Sequence, residues 1–435
     1  MLQWRTVSIR ALSKDWAEQM AYYRWLENPS VSLSSLTESL AEHCRHQVKG
    51  RHVLAISDTS EINLQAHAGR LKPEGLGVVG NNRDIGFFLH PTLIVDSTDG
   101  MPLGLSHVQL WTRPAERPSK AERHYKTQPI EEKESYKWIK AATGSDACLT
   151  LGAAEQVTYI GDSESDIYEP WVQIRPASGH LLIRACRDRL RYDKDVTLFS
   201  ELSSQPSAGQ YCLDVPAEPS INRIARSAQM TVRFTPVSLK RPTRLKDNYP
   251  EQVEVYAVEA FENAPPNGQK PVHWRLLTTH PVRTVQQALQ IIQWYRWRWH
   301  IEQLFAILKQ RGLDIEASEN ESIWAIEKLS LLALSVALQI LQLMLGREQS
   351  NTSATLAFDA KQQRCLKQIA PTLNGRTAKQ QNPHPTASLA WAAWMIARLG
   401  GWSGYRSQRP PGIVTFERGL QVFQGMFAGW LLAHP

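Results

Sequence analysis

Several things are scarce in this 435-residue sequence, and each scarcity closes a class of explanation. The five cysteines, Cys44, Cys148, Cys186, Cys212 and Cys365, are odd in number and scattered, with no Cys-x-x-Cys pair. Neither a disulfide framework nor a zinc site is indicated, and a reducing cytoplasm fits. The longest uncharged apolar run, Leu329 to Leu345, only approaches the ~18 residues of a membrane span. At about 100° per residue Lys328, Ser335, Gln339 and Gln342 share one face, so an amphipathic helix with one wet side is expected. The first 14 residues carry Arg5, Arg10 and Lys14 but no apolar run or small-residue cleavage site, so no export is read. No internal repeat is evident. Charge of one sign is only mildly in excess, 49 Lys+Arg against 42 Asp+Glu, and the resulting +7 favours a polyanionic partner without demanding one.

What remains is ample material for a packed interior, with 42% apolar and 21% charged residues, enough to exclude global disorder. At ~150 residues per domain the length predicts about three units. Residues 15 to 50 read as helical, with Pro29 ending one helix and Ser30 or Ser32 opening another. His52 to Ser57 reads as a short apolar strand, and Gly86 to Arg113 as two strands around the turn Ser97-Thr98-Asp99-Gly100. After a polar stretch from Pro114 to Glu134, a helix opens near Tyr136 and strands follow at Gln156 to Ile160 and Leu181 to Arg184. Strands interleaved with helices predict an α/β core. Arg187 to Val272 reads as an all-β insertion, Thr284 to Arg311 as one long helix, and 323 to 346 as another. Gln349 to Pro385 reads as a polar linker before two aromatic-rich helices ending at Trp430.

Two acids stand at the carboxyl ends of apolar strands, Asp58 after His52 to Ser57 and Asp162 after Val157 to Gly161, where open α/β sheets place ligand-binding groups. Taken singly, Asp58 could shape a turn and Asp162 could cap a helix. In the long helix, Tyr295, Arg298, Glu302 and Lys309 fall within roughly 60° of one another, while Trp297, Ile301, Leu304, Phe305 and Leu308 form a core-facing set. The stripe reads either as a solvated face with an Arg298–Glu302 pair or as a site. Three carboxylates suit Mg²⁺ or Mn²⁺ rather than zinc, and two such ions ~4 Å apart can clamp the attacking and leaving oxygens of a phosphodiester. Arg298 and Lys309 could then hold phosphate.

The blocks Leu-Ala-Ile-Ser-Asp-Thr-Ser around Asp58, Ile-Gly-Asp-Ser-Glu-Ser-Asp-Ile-Tyr around Asp162, and Tyr295-x2-Arg298-x3-Glu302-x6-Lys309 resemble the three catalytic blocks of the insertion-sequence-four family of bacterial DDE transposases. Glu74 to Gly77 through Gly86 to His90, Pro102 to Leu105, Lys133 to Trp138 and Ala397 to Gly401 are similar to the family as well. The resemblance implies a ribonuclease-H-like catalytic core interrupted by the β-rich insertion. In this division 1–50 is a helical N-terminal segment, 51–186 and 273–318 the two parts of the core, 187–272 the insertion, and 319–435 a helical dimerisation region. It implies Asp58, Asp162 and Glu302 as the metal-binding triad for two Mg²⁺ or Mn²⁺ ions, and Tyr295, Arg298 and Lys309 as the phosphate grip. Trp274 and Trp299 would stack on a flipped base. The implied reaction is cut-and-paste transposition through a DNA hairpin, in a homodimer on double-stranded DNA in the bacterial cytoplasm at the nucleoid, with no membrane. Family members usually carry a further N-terminal end-binding segment, so an inhibitory regulator acting by dimerisation stays open, as does a non-transposing nuclease. Arg223 to Lys246 holds seven Lys or Arg and no acid, either a DNA contact or an exposed basic face.

Overall fold

The computed structural model describes residues 7–116, 125, 128–174, 179–245, 248–309, 313–405 and 407–434. Ten strands form one mixed sheet: β1 (His52–Ser57), β2 (Ser60–Asn63), β3 (Gly86–Asp96), β4 (Pro102–Trp111), β5 (Gln156–Gly161), β6 (Gly179–Arg184), β7 (Gly209–Val215), β8 (Arg226–Lys240), β9 (Gln252–Glu262) and β10 (His273–Thr278). The order is β2-β3-β1-β5-β6-β10-β9-β8-β7, with β4 on the other edge of β3. Strands β1, β5 and β6 are parallel neighbours, buried on both faces, which is why their sequences are nearly continuous apolar runs. The expected hairpin is β3–β4. Gly100 turns it at φ +78°, and a Cβ there would stand 2.5 Å from the Trp297 ring, so only glycine lets that indole close over the turn.

The described residues form twelve α-helices: α1 (Ile9–Leu12), α2 (Trp16–Glu27), α3 (Leu33–Arg45), α4 (Lys137–Leu151), α5 (Tyr168–Gln173), α6 (Leu198–Ser204), α7 (Val285–Trp297), α8 (Trp299–Lys309), α9 (Ile323–Gly346), α10 (Ala360–Leu373), α11 (Leu389–Leu399) and α12 (Ile413–Ala433). The last two pack on α9 and on each other, and α10 packs on both of them. Pro29 does separate α2 from α3, and Ser32 caps α3 through the Ser35 N–H.

Four expectations are corrected. The stretch 187–272 is not all β, since it contains α6, and β7 to β9 extend the central sheet through β10 instead of forming a sheet of their own. The long helix of 284–311 is two helices: Arg298 lies between α7 and α8, its N–H bonded to the Tyr295 carbonyl and its own carbonyl to the Ile301 N–H, a tightened turn of i,i+3 bonds. The end of that stretch, 310–312, lies outside the described residues. Helix α9 has no continuous wet side. Ser335 is exposed, but Lys328 is buried and donates to the carbonyls of Leu26 and Asn28 at 2.6 and 2.8 Å. Gln342 is buried on the Pro102 carbonyl, and Gln339 is half-buried on that of Ala357. These polar groups are satisfied by backbone ends of other elements, not by water. By length and composition α9 could cross a membrane, and 67% of it is buried inside the molecule. Finally, the polar linker contains α10, opened by a capping box between Asp359 and Gln362 and seated through Cys365 and Leu366.

Candidate active site

Ile56 of β1 lies opposite Ile160 of β5, so Asp58 and Asp162 each stand two residues beyond a paired position on neighbouring parallel strands. The chain runs on from β1 into β2 without a change of register. Strands β1 and β2 run one after the other along the same edge of β3, with Ser57 opposite Thr92 and Ser60 opposite Leu89. The ladder is interrupted across His90 and Pro91, and Pro91 has no N–H to offer it. Asp58 occupies that interruption, one carboxylate oxygen accepting the Thr59 N–H at 2.7 Å. Asp162 caps the short turn after β5, accepting the Glu164 N–H at 2.8 Å. The capping reading of Asp162 therefore holds beside any other role it has.

The junction residue Arg298 joins the third acid to this pair. Its Nη1 donates to Asp58 Oδ2 at 2.9 Å and its Nη2 to Glu302 Oε1 at 2.5 Å, with side chains 14%, 19% and 32% exposed for Arg298, Asp58 and Glu302. Burial pushes the Asp58 carboxyl up from 3.8 to about 6, the Asp162 charge adds to this, and Arg298 opposes it. Burial also raises Asp162, against the pull of Arg298 and of Lys137. Negative charge is thus held together at a cost, which Arg298 partly offsets.

The donor set, three carboxylates and no sulfur or imidazole, is of the hard-oxygen kind that suits Mg²⁺ or Mn²⁺. It is not a closed cage: among the described residues no three His, Cys, Asp or Glu side chains are grouped tightly enough to hold a metal ion, and Arg298 spans two of the acids. The chemistry fits, with the guanidinium placed where it competes for Asp58 and Glu302.

The other expected residues divide. Tyr295 is buried, its ring 5.8 Å from the Arg298 guanidinium and edge-on to Trp274 at 6.4 Å, and burial raises its phenol. Trp299 is 51% exposed and Trp274 half-buried. Lys309 is not at the carboxylates. It donates to the Glu61 carbonyl at 2.8 Å and pairs with Glu316 at 2.9 Å, tying α8 to β2. Of the expected core-facing set, Ile301, Leu304, Phe305 and Leu308 are buried, while Trp297 is half-buried against the turn at Gly100. The basic stretch is largely neutralised by acids remote in sequence: Arg226 by Glu262, Arg233 by Glu259, and Arg244 by Glu169, while Arg223 pairs with nearby Glu218. Lys246 lies outside the described residues. Sequence reasoning missed Lys137, the first residue of α4, whose ammonium meets Glu164 at 3.0 Å beside Asp162. Its signal was its place in the Lys133 to Trp138 block.

No family model matches the chain. Among solved structures it is similar to the transposase in a cryo-EM structure of the piggyBac synaptic complex with hairpin DNA, at 9% identity over 97% of this chain and with a TM-score of 0.38. The chain spans 63% of the length of that protein.

Proposed function

We propose that this chain is a metal-dependent DNA transposase of the DDE kind, cutting transposon ends and joining them to target DNA. The observation that carries the reading is the Arg298 bridge, which ties Glu302 to Asp58 next to Asp162, three acids from three distant blocks of sequence. The order β4-β3-β1-β5-β6, antiparallel and then parallel, supports a ribonuclease-H-like core around them. On this reading Asp58, Asp162 and Glu302 would hold Mg²⁺ or Mn²⁺, which supplies activation of the attacking oxygen and relief of charge on the leaving one. Arg298 turns from the carboxylates to a DNA phosphate, a charge-assisted bond of the same kind, with Tyr295 packed behind it. Lys309 braces the helix and reaches DNA only by giving up Glu316. Trp299, half exposed beside Arg298, offers a stacking face for the extruded base that a hairpin requires, and Trp274 backs Tyr295. The partners are duplex DNA and a second copy of the chain, at the nucleoid of a bacterial cytoplasm.

The test is strand nicking on duplex DNA carrying the ends of the encoding element, with Mg²⁺ or Mn²⁺ supplied. Asp58→Ala, Asp162→Ala and Glu302→Ala are each expected to lose at least ~100-fold in rate, and Glu302→Asp to fail as well, since displacing a reacting group by about 1 Å costs that much. Nonspecific DNA binding should persist in all four. Full-rate nicking by any alanine variant removes that residue from the triad.

A further inference from the structure

Directly beneath the two aspartates lies a polar and aromatic contact chain that the proposed chemistry does not use. His90, in β3, is fully buried, and its Nδ1 is 2.8 Å from the Thr59 hydroxyl. Thr59 is the residue whose N–H holds the Asp58 carboxylate. On its other side the His90 ring meets Trp138 of α4 edge to face, with centroids 5.0 Å apart. The Trp138 ring in turn lies under Gly161, 3.4 Å from where a Cβ would stand, and Gly161 directly precedes Asp162. A void of about 20 Å³, room for about one water, is bounded by Ser57, Trp138, Gly161 and Ser165 alongside.

We propose that His90 and Trp138 form a bracket that fixes Asp58 and Asp162 at their working separation, making both of them positioning residues; this rests on the reading of the site given above. The polarity of the bracket argues against simple filling. His90 Nε2 and Trp138 Nε1 are both buried without a hydrogen-bond partner, a cost that phenylalanine at either place would avoid. The imidazole is retained for its other nitrogen, the one on Thr59. Burial, with the Lys137 charge nearby, keeps the ring neutral, so it can hold the hydroxyl without adding charge to an already crowded site.

The experiment compares nicking kcat, KM for DNA and thermal melting across a small set of variants of the full chain. His90→Phe keeps the ring against Trp138 and removes the bond to Thr59, and kcat is expected to fall ~10- to 100-fold with KM unchanged. Thr59→Val should match it, and the double variant should be no worse than either single one, because both cut the same link. His90→Asn, whose amide can replace Nδ1, and Thr59→Ser, which keeps the hydroxyl, should restore most of the rate. Trp138→Phe should lose less. If His90→Phe melts below the assay temperature, the Thr59→Val and Thr59→Ser pair decides. A folded His90→Phe or Thr59→Val with normal kcat overturns the bracket, and so does a loss that His90→Asn and Thr59→Ser fail to restore. Nicking that survives Asp58→Ala and Asp162→Ala overturns the reading of the site itself, whereas loss in those two beside normal rates in His90→Phe overturns the bracket alone.

Discussion

Strand β1 begins at His52 and stops one residue short of Asp58, and the two ends of the parallel strands handle buried charge in opposite ways. At the carboxyl ends, Asp58 and Asp162 are raised by burial but retain some exposure and a guanidinium between Asp58 and Glu302. At the amino ends, His52, His180 and His280 gather around the Thr158 hydroxyl and Trp294. His52 and His280 bond Thr158 at 2.8 and 2.7 Å, His180 stacks on His280 at 3.7 Å, and Trp294 lies within 5.0 Å of both His52 and His280. Burial pushes all three imidazoles down, His52 to about 4 and His280 to about 3. One end therefore keeps charge with a counter-ion at hand, and the other discharges it. On the proposed function, the difference separates what a site needs from what a fold needs. Helix α7 serves both ends, since Trp294 anchors it on the Ser97 carbonyl at 3.0 Å and Arg298 follows directly from it.

The largest expected effect comes from treating the acid end like the histidine end, by removing its charge. Asp58→Asn should abolish nicking, at least ~100-fold, yet raise the melting temperature. A carboxyl lifted from 3.8 to about 6 is ionised at neutral pH against its surroundings, at most ~3 kcal/mol for two pK units and about half of that after solvent screening. For a chain of this size that is a rise of ~1–3 °C. A lower melting temperature would show that the Arg298 attraction outweighs the burial cost, and that the acid end stabilises the fold.

The acid end was the more legible of the two in the sequence. Five consecutive residues from Val53 to Ser57 are buried, and the apolar run announces both the strand and the acid that follows it. The spacing of Arg298 and Glu302 announces their contact, because i,i+4 neighbours on a helix meet. The break at Arg298 was not legible, since its dihedrals stay helical and only the hydrogen-bond pattern changes. The histidine cluster was invisible for a different reason: its members come from β1, β5, β6 and the turn after β10, and only sheet order brings them together. The same non-local logic hid the burial of Lys328, whose partners lie about 300 positions away, and the joining of β7 to β9 onto the core sheet. Helix α10 was masked by its polar composition and by Pro371 within it.

The second prediction tests the histidine end by pH. A histidine depressed in the fold binds fewer protons there than in the unfolded chain, so its contribution is fully present above about 6.5 and is lost as pH falls from 6.5 towards the folded values of about 4 and 3. At pH 5 His280 should cost ~2 kcal/mol relative to neutral pH, and His52, more open to solvent screening, about half of that. Asp58 acts with the opposite sign, taking up a proton in the fold before the unfolded chain does, so the two ends partly offset each other. His280→Gln keeps a group for Thr158 but cannot be protonated. Melting curves at pH 7.5 and 5 should show it losing ~2 kcal/mol less than the parent on acidification. An equal loss would place the acid sensitivity elsewhere.

The smallest effect isolates the hydroxyl between two of the rings. Thr158 is fully buried and its Oγ1 is within bonding distance of Nε2 of both His52 and His280. A hydroxyl has one proton to give, so it donates to one imidazole and accepts from the other, which fixes the two rings in opposite tautomers at those nitrogens. Thr158→Val preserves the shape and strands both nitrogens, and should cost ~1 kcal/mol of stability, measured by denaturant titration at pH 7.5. At pH 5 the cost should be the same, because both rings, depressed to about 4 and about 3, are still neutral in the fold and still need the hydroxyl. Nicking at pH 7.5 should be unchanged, since Thr158 precedes Asp162 by four residues on β5 and touches none of the three acids. A fall in nicking with stability intact would mean that the two ends communicate through α7, with the set of the rings against Trp294 carried along the helix to Arg298, and the division between a site end and a fold end would no longer stand.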